Sequence, residues 1–198
     1  MTALCVRIDR TEMIQMPDRI LLETPFLRCI DRDGWFFAER PRIDGVVAIV
    51  AVTAERRLLL VEQPRVPVSA RVIELPAGLA GDDPGHGGEA LEVAAHCELI
   101  EETGYRAGRL EPLGRCPTSP GMVTEVLAFF LATDLEHVSA GGGIPGEQIQ
   151  VHEVPLDEIA VWLRQREHEG RLLSATLFAG LALAGIPCGP LPPAPQGK

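Results

Sequence analysis

The chain has 198 residues, of which 46% are hydrophobic and 23% are charged. This ordinary globular composition argues against a disordered chain and predicts one domain with, at most, a small appendage. There are 18 basic and 28 acidic residues, so the net charge is −10. Because such a surface repels phosphate backbones and anionic lipid, we expect neither a nucleic-acid partner nor a membrane partner.

The cysteines and the apolar stretches indicate the compartment. Five cysteines lie far apart, form no Cys-x-x-Cys pair and are odd in number, so they indicate neither a disulfide framework nor a zinc site. No signal-peptide pattern is visible at the N-terminus. The most apolar long stretch, 172–186, is shorter than the ~20 residues that span a bilayer. We therefore expect a soluble, cytoplasmic protein.

Strand patterns dominate the chain. The Asp33-Gly34 pair between the first two strands is a strong hairpin signal. The β-branched run 46–52 is typical of a strand that is buried on both faces. The predicted strands lie at 19–29, 35–39, 46–52, 56–63, 71–75, 108–116, 124–132 and 149–154.

Three helices are predicted among these strands. The first covers 89–103 and is expected to stop at Gly104. The others cover 156–166 and 171–184. The predicted loops are 77–88 and 141–146. A mixed β-sheet surrounded by helices, an α/β fold, is the simplest architecture for this order of elements.

The first helix carries an unusual set of acids. Glu98, Glu101 and Glu102 lie one turn apart on one face. Each pair of like charges costs an isolated helix ~0.2–0.5 kcal/mol, and no lysine or arginine lies between residues 78 and 105 to offset them. A hard divalent cation would compensate, and carboxylate oxygens suit Mg²⁺ or Mn²⁺. The alternative is a solvated acidic face.

The surroundings of these acids resemble the Nudix box, G-x5-E-x7-R-E-U-x-E-E-x-G-U, in which U is aliphatic or aromatic. The sequence has Glu-Leu-Pro-Ala-Gly at 74–78, then Glu89, then Glu-Leu-Ile-Glu-Glu-Thr-Gly-Tyr at 98–105. The seven-residue gap after Glu89 is kept, and the second half of the box matches at every fixed position. The resemblance implies the Nudix fold, a mixed β-sheet sandwiched between helices.

Flanking segments are similar to the ADP-ribose pyrophosphatase branch of that family. Among them are 62–65, with the sequence Glu-Gln-Pro-Arg, and 119–121, in which Pro120 occupies the branch's characteristic place about fifteen residues beyond the box. The resemblance implies an N-terminal β extension (1–43) that mediates a homodimer, a Nudix hydrolase domain (44–185) and a disordered Pro-rich tail (186–198).

Two features depart from the box. Cys97 stands in place of its arginine, and ten residues rather than five separate Gly78 from Glu89. A cysteine cannot supply the arginine's charge to Glu101, four residues further on. We expect Cys97 to be packed as a small apolar residue; a redox or ligand role is the alternative.

The resemblance also implies a ligand set and a mechanism. Mg²⁺, or Mn²⁺ in its place, would be bound by Glu98, Glu102 and the Ala77 carbonyl, with Glu101 and Glu147 as further ligands. The catalytic base is open between Glu147 and a metal-bound hydroxide positioned by Glu101.

The implied substrate is ADP-ribose or a related nucleoside diphosphate sugar, cleaved at its pyrophosphate to AMP (or another NMP) and a sugar phosphate. Arg65, Pro120 and Gly121 are the predicted substrate-binding residues, and a guanidinium suits phosphate. Trp35 and Phe36 are expected in the core, with stacking on a base as the alternative. A Nudix-fold ligand-binding domain with weakened or lost catalysis is the alternative function.

Overall fold

The computed structural model describes residues 18–81, 90–144 and 146–189. Eleven strands, three α-helices and one 3₁₀ helix (Val66–Val68) lie in these ranges. In chain order they are β1 (Arg19–Glu23), β2 (Arg28–Arg32), β3 (Trp35–Glu39), β4 (Gly45–Ala51), β5 (Arg57–Arg65), β6 (Ala70–Glu74), β7 (Ala77–Ala80), α1 (Leu91–Thr103), β8 (Tyr105–Pro117), β9 (Val126–His137), β10 (Gln150–Pro155), α2 (Ile159–His168), β11 (Leu172–Leu173) and α3 (Ala175–Leu183).

The first three strands form an antiparallel sheet of their own, which we call the N-terminal sheet. The predicted hairpin between β2 and β3 is confirmed: Asp33 and Gly34 have φ of 51° and 82°, as a tight hairpin turn requires. The single strand predicted over 19–29 is wrong, because a turn divides it into β1 and β2. The Thr24 hydroxyl makes that turn by accepting a hydrogen bond of 2.9 Å from the Leu27 N–H.

The remaining strands form two mixed four-stranded sheets. In the first, called the β4 sheet, the order is β7-β4-β9-β8 and β4 runs parallel to β9. In the second, called the β5 sheet, the order is β10-β5-β6-β11 and β6 runs parallel to β11. The predicted mixed α/β architecture is confirmed, with two mixed sheets where one was expected.

Strand β4 has a core on each of its faces, as predicted for a fully buried strand. Val46, Ala48 and Val50 pack with residues of the β5 sheet, α2 and α3. The alternate residues Val47, Ile49 and Ala51 pack with α1. Side chains alternate across a strand, so this one apolar run supplies both cores and places α1 on the opposite face from α3.

Two predicted elements differ in the structure. Residues 77–80 form the strand β7 instead of a loop, because they pair with β4, with Val47 opposite Gly78. The closing helix predicted from 171 begins at Ala175, because Leu172 and Leu173 pair with β6. Ser174 then caps α3 by accepting a hydrogen bond from the Thr176 N–H.

Some residues on which predictions were made lie outside the described ranges. Glu89 and most of the lengthened loop before it lie there, as do residues 190–198 of the predicted tail. Within the ranges described, no helix is both long and apolar enough to cross a membrane.

Candidate active site

The acids predicted to bind metal meet in one cleft of about 680 Å³, which we call the carboxylate cleft. Its walls come from the ends of β5 and β6, the start of β7, the last turns of α1 and the loop that precedes β10. Its lining includes Arg65, Ala77, Glu98, Glu101, Glu102 and Glu147. The structure therefore brings six of the eight predicted site residues together; Pro120 and Gly121 lie elsewhere.

Helix α1 presents its acids because its other face is buried. Ala94, Ala95 and Leu99 lie in the core beneath the β4 sheet, which turns the acidic face towards β7. The helix ends where predicted: Gly104 has φ of +78°, and its N–H donates to the Ile100 carbonyl. The sequence could predict this helix end because the signal is local: a glycine, which readily adopts positive φ, follows the last helical residue.

The end of α1 also holds the segment that carries Glu147. The last carbonyls of a helix need donors from outside it. Here the Gly142 N–H donates to the Glu102 carbonyl at 2.8 Å, and the Gly143 N–H donates to the Glu101 carbonyl at 3.0 Å. These two bonds bring Glu147, four residues after Gly143, to the acidic face of the helix.

Glu102 is the most buried of the acids, at 5% exposure. Its carboxylate accepts a hydrogen bond of 2.9 Å from the Ala77 N–H. Burial raises the pKa of Glu102 to about 8; the charges of Glu98 and Glu147 raise it further, while the Ala77 N–H and Arg65 act in the opposite direction. Such a site disfavours a bare negative charge and gains from a nearby cation.

Glu98 packs directly on the backbone of β7. A Cβ atom built on Gly78 would lie 1.8 Å from the Glu98 carboxyl carbon, a distance that no side chain can occupy. A side chain at this position of the box would therefore have to move the Glu98 carboxylate away from the strand.

Two arginines stand on the walls of the carboxylate cleft. Arg65 is 44% exposed and donates to Glu74 at 2.7 Å. Arg40 pairs with Glu125 at 3.3 Å. Arg40 was not predicted: it comes from the segment after the N-terminal sheet, and no motif marks it.

Glu147 is exposed at the edge of the cleft. Its carboxylate accepts a hydrogen bond of 3.1 Å from the Ile144 N–H, and its own N–H donates to the Ile144 carbonyl. The residue thus sits in a tight turn at the cleft edge, and its charge is close enough to raise the pKa of the buried Glu102. Pro145 lies outside the described residues.

Pro120 and Gly121 lie in a different depression, of about 370 Å³, beside Trp35 and Phe36. Their role in substrate binding stays a prediction. The expected core packing of the two aromatic residues is wrong: Trp35 is 71% and Phe36 61% exposed. The sequence pattern of 35–39 predicts a strand, but it does not show which face of that strand is covered by the rest of the chain.

The expectation for Cys97 is also wrong. Its side chain is exposed and lines a shallow depression with Ile100, Glu101 and Gly143. The residue lies on the helix flank that faces the 139–143 segment, away from the buried face of α1, so it does not fill the core.

Within the described ranges, no three His, Cys, Asp or Glu side chains are already arranged around a point that could hold a metal ion. The oxygen donors for one are nevertheless close at hand, since Glu98, Glu102 and the start of β7 share a wall of the cleft. Carboxylate and carbonyl oxygens are the donors that Mg²⁺ and Mn²⁺ prefer.

Comparison with known proteins identifies the family. The model of the NUDIX domain matches residues 42–175, more than half of the chain. The chain therefore belongs to the NUDIX domain family, and the membership of the Nudix hydrolases that its box predicts is confirmed.

Three relatives are similar to the chain over most of its length. The chain is 35% identical to an ADP-ribose pyrophosphatase of Bacillus subtilis (strain 168), over 62% of this chain and 64% of that protein. It is 33% identical to a GDP-mannose pyrophosphatase of Enterobacter sp. (strain 638), over 73% and 76%. It is also 33% identical to a methanol dehydrogenase activator of Bacillus methanolicus, over 63% and 65%. The match spans slightly less than two thirds of the first and third of these relatives.

A solved structure shares the fold. The crystal structure of an ADP compounds hydrolase superposes with a TM-score of 0.65 and covers 86% of this chain and 91% of that one. Since the two sequences are 21% identical, this likeness concerns the fold alone.

Proposed function

We propose that the protein hydrolyses the pyrophosphate bond of ADP-ribose or a related nucleoside diphosphate sugar in a Mg²⁺-dependent reaction that yields AMP, or another NMP, and a sugar phosphate. The observation that carries the proposal is the meeting of the four predicted carboxylates, Glu98, Glu101, Glu102 and Glu147, with Arg65 in one cleft. The relatives named as ADP-ribose and GDP-mannose pyrophosphatases support the class of substrate.

The cleft fits a hard divalent cation because its most buried acid is surrounded by other acids. Glu98, Glu102 and the Ala77 carbonyl would hold Mg²⁺, or Mn²⁺ in its place, with Glu101 and Glu147 as further ligands. When bound, the cation neutralises phosphate oxygens and makes water a better nucleophile.

The side chains around the acids have distinct proposed roles. Arg65 is exposed enough to exchange its contact with Glu74 for a bidentate contact with a substrate phosphate. Glu147, solvated at the cleft edge, is the first candidate for the base that takes a proton from the attacking water. The alternative is a metal-bound hydroxide that Glu101 would position.

A second copy of the chain is the proposed partner, and the cytoplasm is the proposed location. The N-terminal sheet supports the first proposal, because it carries exposed apolar side chains, among them Leu22 and Phe36, which the strand register places on one face. Large exposed apolar patches are characteristic of interfaces.

The proposed chemistry is tested by a matched pair of substitutions on α1. Glu102→Gln keeps the size of the side chain but removes its charge from the cleft, and it should lower kcat by at least about a hundredfold. Glu92→Gln makes the same change on the exposed first turn and should leave kcat unchanged. The readout is AMP release from ADP-ribose with Mg²⁺, together with the melting temperature of each variant. Equal activity in the two variants would contradict the proposal.

A second candidate function, ligand binding with weakened or lost catalysis, is favoured by Cys97. The box arginine is absent at this position, and the exposed thiol of Cys97 cannot supply its positive charge. This candidate predicts that ADP-ribose raises the melting temperature without being cleaved.

A further inference from the structure

The segment that carries Glu147 runs from 138 to 149 between β9 and β10, and we call it the Glu147 loop. Its first half is fixed to α1 by the N–H groups of Gly142 and Gly143. An exposed carboxylate at the tip of a long loop needs a second anchor if it is to act at a defined place. An arginine of the β5 sheet holds the second half of the loop.

Arg71, on β6, reaches the far end of the Glu147 loop. One terminal nitrogen of its guanidinium donates to the carbonyl of Gln148, the residue after Glu147, at 3.2 Å. The same nitrogen donates to the Glu62 carbonyl at 3.1 Å, and Nε donates to the Glu62 carboxylate at 2.5 Å. Arg71 thus bridges the middle of the β5 sheet to the loop.

Glu62 fixes the direction in which Arg71 points. It lies on β5 and is 1% exposed. Besides Arg71, its carboxylate contacts Arg171 Nε at 3.3 Å and His152 Nε2 at 3.0 Å. A buried carboxylate with three partners from three different segments has little freedom to move, so the guanidinium that it orients is held as well.

We propose that Arg71, held by Glu62, is a positioning residue that places Glu147 over the carboxylate cleft. Neither Arg71 nor Glu62 is among the described residues that line the cleft, so both act through the loop and not on the substrate. The inference rests on the role in catalysis proposed for Glu147.

Arg171 provides a matched control. It also donates to the Glu62 carboxylate, but its other hydrogen bond goes to the Glu169 carbonyl in the turn after α2. Arg71→Met and Arg171→Met therefore each remove one guanidinium from Glu62. Only the first also removes the donor from the Gln148 carbonyl.

The first experiment measures kcat for AMP release from ADP-ribose with Mg²⁺, at a temperature where both variants are folded. Arg71→Met should lower kcat by about tenfold to a hundredfold, because small displacements of a catalytic group cost that much. Arg171→Met should stay within about twofold of the wild type. Equal losses of kcat in the two variants would overturn the inference.

A double substitution separates positioning from general damage. If Arg71 acts through Glu147, Arg71→Met should cause no further loss of kcat in a Glu147→Gln background. A loss as large as in the wild-type background would contradict the inference, as would a Glu147→Gln variant with full activity.

A third measurement does not depend on activity. Hydrogen exchange of the backbone amides at 146–149 should be faster in Arg71→Met than in Arg171→Met, with both proteins free of metal. If the wild type releases no AMP, the proposed function fails, and the exchange rates alone decide the inference. Equal rates in the two variants would then overturn it.

Discussion

At the scale of single residues, Cys97 leaves the acidic face of α1 without the positive charge that an arginine at this position of the box would supply. Its exposed side chain shares a depression with Glu101, one turn further along the helix. No lysine or arginine lies between 78 and 105, so the positive charge that a box arginine supplies must come from another segment or from a bound cation. Arg65, which lowers the pKa of Glu102 from across the cleft, is one such source.

Restoring an arginine at this position should therefore help. In Cys97→Arg, a guanidinium four residues before Glu101 gains a favourable pair within the helix, worth ~0.2–0.5 kcal/mol, and favours the ionised carboxylate. We expect a severalfold rise in kcat for AMP release with Mg²⁺. Cys97→Met, a longer side chain without charge, should have no such effect. A Cys97→Arg variant that is no faster than the wild type would show that the missing charge does not limit the reaction.

At the scale of elements, the contacts of Glu62 tie β5 to β6, to β10 and to the turn before β11. Burial acts to raise the pKa of this carboxyl, but hydrogen bonds from Arg71, His152 and Arg171 outweigh it and hold the pKa below its ordinary value of 4.5. The ionised form of Glu62 therefore stabilises the folded state.

Removal of that charge should destabilise the protein in a pH-dependent way. Glu62→Gln leaves the Arg71 and Arg171 guanidinium groups, which are 34% and 32% exposed, without their anion. It should lower the free energy of unfolding by about 1.5–3 kcal/mol at neutral pH. Since the folded-state pKa is lowered, the stabilisation is present above 4.5 and is lost as the pH falls through the lowered pKa. Urea unfolding should show the gap between wild type and variant closing at acid pH.

The matched control is Glu136→Gln, at an exposed ion pair with Arg106. Exposed pairs contribute only about 0–1 kcal/mol, so this change should have little effect at any pH. A gap for Glu62→Gln that is as small, or that does not depend on pH, would contradict the account of the buried carboxylate.

The elements that could be predicted are those with local signals. The end of α1 at Gly104 and its three acids follow from helical spacing and a glycine that adopts positive φ. Strand β7 could not be predicted, because Ala77 and Gly78 are extended through pairing with β4 and not through their own preference. The contacts of Glu62 could not be predicted either, because its partners lie up to 109 residues away in the sequence.

At the scale of the whole molecule, the N-terminal sheet exposes apolar side chains on both of its faces, with Leu22 and Phe36 on one face and Ile20 and Trp35 on the other. Its exposed apolar side chains are Ile20, Leu21, Leu22, Phe26, Leu27, Trp35 and Phe36. The sequence predicted a β extension here but not that these side chains are exposed, because a strand pattern does not distinguish a surface covered by the chain from one covered by a second copy.

If the face of the N-terminal sheet that carries Leu22 joins two copies, a charge placed on it should separate them. The wild type should sediment at twice the mass of one chain, and Leu22→Glu should sediment at the mass of one. Val161→Glu, at an exposed apolar residue on α2, is the control and should remain a dimer. A wild type that sediments as a monomer at every concentration would contradict the proposed homodimer.

The central claim, that the carboxylate cleft hydrolyses a nucleoside diphosphate sugar, is tested most directly by product release. The wild-type protein is incubated with ADP-ribose and, separately, with GDP-mannose, each with Mg²⁺, with Mn²⁺ and with excess EDTA. We predict equal amounts of NMP and sugar phosphate from at least one substrate with metal, and none with EDTA. No NMP from either substrate, while ADP-ribose still raises the melting temperature, would contradict the claim and identify the cleft as a binding site.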